Sequence, residues 1–107
     1  MEGLASISSK LKPVWVDKRC DPVWWFTSFL SPRRAELEEF LLGHGIQTRK
    51  FFCPLHLQPC YQHMDFDRSI FEVSETAYSQ GISLPSAYNL TLEEQEYIID
   101  KILEFHK

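Results

Sequence analysis

Two thiols and two imidazoles fall within a short stretch of this chain, in the pattern Cys53-x-x-His56-x-x-x-Cys60-x-x-His63. These are the ligand types of a tetrahedral zinc site. The spacing argues against one. Structural zinc knuckles use Cys-x-x-Cys turns, and Pro54 and Pro59 restrict how this segment can wrap. Cys53, His56, Cys60 and His63 are therefore weak metal candidates, and no metal is expected. Cys53 and His56 also have the types of a nucleophile and its base, but no orienting acid or oxyanion loop lies near them in sequence. The frame Pro54-Leu-His-Leu-Gln-Pro59 fixes two backbone φ angles and removes two amide donors. It is expected to be a stiff extended arm that presents polar side chains.

The elements around this arm can be read from pattern and punctuation. Residues 1–12 look like a loose, Ser-containing N-terminal arm, and 13–107 like one domain. Pro13–Val16 suits a short strand and Asp17–Pro22 a turn. Val23–Leu30 is aromatic and β-branched, hence a strand. Ser31 is the expected cap and Pro32 the first residue of a helix whose apolar stripe is Ala35, Leu37, Phe40 and Leu41. Gly43 and Gly45 should stop it. Ile46–Phe52 reads as a strand, and Ser69 with Glu72 as a capping box opening a helix to Gln80. Ile82–Leu84 is a further short strand, closed by Pro85. Thr91 and Glu94 form the cleanest capping box, ahead of a stripe of Ile98, Ile99, Ile102, Leu103 and Phe105. The fold class is α+β: a small, mostly antiparallel sheet of 3–4 strands with about three helices on one face.

Bulk properties narrow the function. A chain of 107 residues is one domain with room for a real core. Net charge of −4, with no basic cluster larger than a few residues, argues against a nucleic-acid or anionic-membrane partner. No apolar run approaches the ~18 residues of a membrane span, and no signal peptide is evident. Three cysteines without a framework pattern favour a reducing, cytoplasmic location.

The expected Val23–Leu30 strand is apolar on both faces, with Trp24 and Phe26 on one of them. Three short helices cover one side of a sheet but hardly two. Leaving Trp24 and Phe26 wet would forgo about 1.5–3 kcal/mol for each large side chain. Trp24 and Phe26 are therefore expected at an interface. A homo-oligomer is the first expectation, with a partner protein that supplies the missing surface beside it; the alternative is that the N-terminal arm folds back as an added strand and the aromatics are simple core.

The segments Gly45-Ile-Gln-Thr-Arg-Lys-Phe-Phe-Cys-Pro-Leu-His-Leu-Gln-Pro-Cys-Tyr61, Gly81-Ile-Ser-Leu-Pro-Ser86 and Leu90–Ile102 carry a family likeness. From about Val23 to Phe105 the chain resembles the C-terminal small domain of the DegT-type, perosamine-synthetase-like nucleotide-sugar aminotransferases. The resemblance implies the small-domain fold of fold-type-I aminotransferases. It also implies pyridoxal phosphate held by a large domain that has no counterpart here, so no cofactor is expected in this chain. Carried over from the family, Arg49, His56, Gln58 and Tyr61 would meet a sugar nucleotide at the mouth of the active site. Transamination needs a Schiff-base lysine and a phosphate cradle; most of Lys10, Lys12, Lys18, Lys50, Lys101 and Lys107 lie in charged or turn contexts, and none follows a glycine-rich phosphate loop. The expectation is an orphan or truncated C-terminal domain, not an enzyme by itself, that acts in oligomerisation or partner binding. The alternative is a sugar-nucleotide binding module using Arg49, His56 and Tyr61.

Overall fold

The computed structural model describes residues 2–107. Its elements run β1 (Lys12–Pro13), β2 (Thr27–Leu30), α1 (Arg34–Gly43), β3 (Arg49–Lys50), α2 (Glu72–Gln80), β4 (Gly81–Leu84) and α3 (Leu92–Phe105). The strands pair antiparallel throughout, in the order β1-β2-β4-β3. Three α-helices and a four-stranded antiparallel sheet are the α+β class that the sequence suggests.

The strands are shorter than their apolar runs. β4 sits centrally with four residues, delimited by the end of α2 and by Pro85, which has no amide to donate. It can pair only four residues of β2, Thr27 to Leu30. Val23–Phe26 therefore lies outside the ladder, and the Trp25 amide donates to the Val23 carbonyl at 2.9 Å in a local turn. β3 shrinks likewise to Arg49 and Lys50 opposite Ser83 and Ile82. At the far edge β1 ends on Pro13, a residue suited to an edge strand.

The core lies on one face of this sheet. Register places Thr27, Phe29, Ile82 and Leu84 together, and the last three are buried with Leu37 and Leu41 of α1 and Ile98 and Ile102 of α3. The opposite face carries Ser28 and Ser83, whose hydroxyls lie 3.0 Å apart, so the strands proper are not greasy on both sides. The four residues of β4 are all buried. α1 and α3 carry this packing, whereas α2 has no buried residue.

Several local expectations need correction. The N-terminal segment read as a loose arm forms a 3-10 helix over Glu2–Ile7, and Leu4 and Leu11 enter the core. Two leucines seven apart, reaching the sheet from a compact turn, outweigh the polar serines between them. α1 starts at Arg34, two residues past Pro32, while Ser31 is buried and its Oγ accepts the Arg33 amide at 3.3 Å. Ala35 is exposed, and the stripe is Leu37 and Leu41 with Phe40 beside it. Asp67, not Ser69, caps the Arg68–Phe71 turn ahead of α2, accepting from the Ser69 amide and hydroxyl.

Two punctuation marks keep their predicted roles. Gly45 takes φ 77° after α1, the Ile46 amide donates to the Leu41 carbonyl and the Gly45 amide to that of Leu42. That is a Schellman stop, with buried Ile46 as its apolar contact. At α3, Thr91 Oγ1 accepts the Glu94 amide at 3.2 Å and Glu94 Oε2 the Thr91 amide at 2.8 Å. The whole is elongated, 49 × 37 × 27 Å with a radius of gyration of 15.6 Å. A compact domain of about this length has about 13 Å. Among the described residues no helix is long and apolar enough to cross a membrane.

Candidate functional site

The proline-framed segment is two short 3-10 turns, Leu55–Leu57 and Pro59–Tyr61, not an extended arm. Pro54 and Gln58 hold extended backbone angles, and each is followed by a turn. The prolines thus alternate extended and turned residues, which folds the segment back toward α2.

His56 is the pivot of that folding. Its side chain is 5% exposed, stacked on Phe71 at 4.2 Å between ring centroids and edge-on to Phe66. Nε2–H donates to Glu75 Oε1 at 2.8 Å, which fixes the proton on Nε2. The same oxygen accepts Nε and Nη2 of Arg68 at 3.0 and 2.7 Å. The His56 hydrogen bond, followed by those of Arg68, holds the Glu75 carboxyl below its ordinary range. His56 therefore ties the proline-framed segment to α2. Its contacts are those of a small satellite core.

This pairing has a pH signature. A depressed carboxyl contributes stability that is fully present above the ordinary Glu pKa of about 4.3 and is lost as pH falls through the lower, folded value. Glu75→Gln is expected to flatten the acid limb of a stability-against-pH profile relative to the parent chain. Identical acid limbs would show that the link contributes nothing.

Arg49 is placed elsewhere. It faces Ser83 across the β3–β4 pair, and Ser83 faces Ser28 across β4–β2, so the three form one row on the sheet face away from the core. Arg49 is exposed, and among the described residues no hydrogen bond or ion pair engages its side chain. A broad open hollow is lined by Arg49, Thr48, Ser83, Ser86, Trp25 and Phe26, together with Glu93 and Tyr97. Neither His56, Gln58 nor Tyr61 lines it. Gln58 Nε2 donates to the Cys53 carbonyl at 3.3 Å and braces its own turn, and Tyr61 stands half open to solvent. The four residues carried over from the family are not gathered around one cavity.

The zinc ligand types are not gathered either. Cys53 points its thiol at the Pro54 carbonyl, Cys60 is exposed and His56 is turned to Glu75. Among the described residues no three His, Cys, Asp or Glu side chains cluster as a metal site. The partners of His56 escaped the sequence reading because Glu75 lies nineteen positions downstream, beyond any local spacing rule.

The aromatic run is one of several exposed apolar features, alongside Phe52, Leu55, Ile70 and Val73. Val23, Trp24 and Trp25 are 94, 66 and 70% exposed, and Trp15 is 78% exposed. Phe26 is half-buried, stacked on Trp25 at 4.3 Å.

An antiparallel four-stranded sheet backed by α1 and α3 is an architecture found in sugar aminotransferases. Over residues 2–103 the chain matches the DegT/DnrJ/EryC1/StrS aminotransferase family, and it belongs to that family. It is 36% identical over 78 residues to a pleiotropic regulatory protein of Geobacillus stearothermophilus, a match spanning 72% of this chain and 21% of that protein. It is 34% identical over 86 residues to GDP-perosamine synthase of Escherichia coli O157:H7, spanning 78% of this chain and 23% of the relative. The crystal structure of S. venezuelae DesV in complex with a ketimine intermediate superposes with a TM-score of 0.90 at 27% identity. That superposition covers 99% of this chain and 29% of DesV. The chain thus spans less than a third of the relatives it matches.

The family uses pyridoxal phosphate. Two of the lysines are engaged by other groups. Lys10 Nζ donates to the His106 carbonyl at 3.0 Å. Lys101 is bonded to Glu104 at 3.0 Å, which raises its pKa and keeps it charged. No lysine lines the broad hollow beside Arg49.

Proposed function

We propose that this span of a sugar-aminotransferase-like protein does no transamination by itself and acts through association, with copies of itself or with a partner protein. The observation that carries this reading is the run Val23-Trp24-Trp25, left in solvent beside an otherwise well-packed sheet. Surfaces of this kind are rare on proteins that act alone, and tryptophan is the residue most favoured at the centre of interfaces. The lysine placements support the absence of catalysis, because Schiff-base chemistry needs an amine that reaches a cofactor and can lose its proton.

A sugar-nucleotide binding role rests on Arg49 alone in this geometry. Its planar guanidinium suits a phosphate or carboxylate, but His56 is committed to Glu75 and Tyr61 lies apart from the hollow. The association reading is the stronger one. Titration of the chain with pyridoxal phosphate is expected to give no saturable aldimine absorbance. A saturable band at one equivalent, discharged by borohydride, would overturn the reading.

A further inference from the structure

Along the sequence the core passes from Ile46 directly to Ile82, and nothing between them joins even its half-buried fringe. The two proline turns, the Arg68–Phe71 turn and α2 hold no buried residue among them. They are also too short to stand alone. Runs of 3-10 helix beyond about 3–4 residues are uncommon, and an isolated α-helix of fewer than about 12–15 residues is marginal in water. α2 has nine. These pieces are ordered by their grip on one another.

That grip converges on one oxygen. Glu75 Oε1 of α2 accepts from His56 of the first proline turn and from Nε and Nη2 of Arg68. Phe66 and Phe71 pack on the same imidazole. Side chains from three pieces thus meet at a single point, and loss of one contact loosens the others. The attachments to the rest of the molecule lie at the C-terminal end of α2 and beside β3. Arg34 Nε donates to the Ser79 carbonyl at 2.7 Å and the Ser31 amide to that of Gln80 at 2.8 Å, while the Phe51 ring lies against Gly81.

We propose that residues 53–78 form a hinged strap that opens as one unit while the sheet, α1 and α3 stay folded, with the His56–Glu75–Arg68 cluster as its latch. Segments with few buried apolar contacts and exposed backbone hydrogen bonds are the ones that open below the global limit. Opening turns His56, Phe66 and Phe71 out to solvent. The hollow beside Arg49 keeps its walls, because none of residues 50–82 lines it. The strap therefore switches an aromatic surface without rearranging that hollow.

Native-state hydrogen exchange of the whole 107-residue chain tests this. The amides of Leu57, Gln58, Tyr61 and Ile70, bonded within the turns, and those at the end of α2 are expected to share one protection factor. It should lie at least about ten-fold below that of α1 and α3. In low urea the strap amides should respond with a shallower slope, since their opening exposes less surface. Ile102→Val weakens the core and not the latch. It should speed exchange in α1 and α3 by about two- to ten-fold and leave the strap amides unchanged, because they exchange from a state whose core is intact. Glu75→Ala removes the shared acceptor and should speed the strap amides about ten-fold. Equal acceleration of both sets by Ile102→Val, or equal urea slopes, would overturn the proposal, because the chain would then open only as a whole. Strap amides that exchange at unrelated rates, that lack protection, or that ignore Glu75→Ala would overturn it as well.

Discussion

Ile102→Ala is expected to destabilise the chain by about 2–5 kcal/mol, the range for truncating a fully enclosed aliphatic side chain. Ile102 has no solvent exposure and packs on α3 among the residues that join α1, the sheet and the N-terminal turn. A domain of this size holds only about 5–15 kcal/mol in total. The variant should therefore lose a large share of its cooperative unfolding transition in urea. Ile102→Val, which removes one methyl group, should cost about 0.5–1.5 kcal/mol. An alanine variant with an unchanged midpoint would mean that α3 does not close the core as described.

Gly81→Ala should be the second most damaging single change, although it adds one carbon atom. Gly81 joins α2 directly to β4 and is buried. A Cβ there would run into the Phe51 ring and come within 2.5 Å of the Ala77 carbonyl oxygen. The carbonyl belongs to the last turn of α2 and accepts the Gly81 amide, so it cannot withdraw without breaking the helix end. Overpacking of this kind costs about 1–3 kcal/mol, and more where backbone must move. Gly43→Ala is the control, because nothing lies within 4 Å of its added carbon. It should be neutral or slightly stabilising, by reducing the freedom of the unfolded chain. Equal urea midpoints for the two variants would contradict the tight α2–β4 junction.

Helix ends were legible where the signal was local. Thr91 with Glu94, and Gly43 with Gly45, act within one turn of backbone, and the structure uses both. Strand lengths were not legible, because they depend on a partner. Val23–Phe26 has strand composition, yet β4 has only four residues to offer and Pro85 ends it. The same competition moved the α2 start. Ser69 with Glu72 has capping-box spacing, but the Asp67 carboxylate two residues earlier takes the Ser69 amide first.

The site was less legible than the fold. The apolar anomaly at Trp24 was visible in the sequence, though for a different reason. The expected two-sided strand is not there, since Ser28 and Ser83 occupy the far face of β2 and β4. Trp24 is open because its segment leaves the ladder. His56 illustrates the limit of carrying roles over by motif. Its neighbours Leu55 and Leu57 gave no sign that Phe66, Phe71, Arg68 and Glu75 would enclose it. Arg49 was singled out for its chemistry. Its place in a row with Ser28 and Ser83 depends on strand register, which no single segment encodes.

The intrinsic fluorescence of the dilute chain, with its mass measured by light scattering on the same sample, tests the central claim most directly. The chain has three tryptophans, Trp15, Trp24 and Trp25, and all are mainly exposed. The native monomer should emit at nearly the wavelength of the urea-unfolded chain and be quenched by acrylamide almost as readily. Blue-shifted, quencher-protected emission from a sample weighing as a monomer would mean that the chain covers this face by itself, and association would lose its surface.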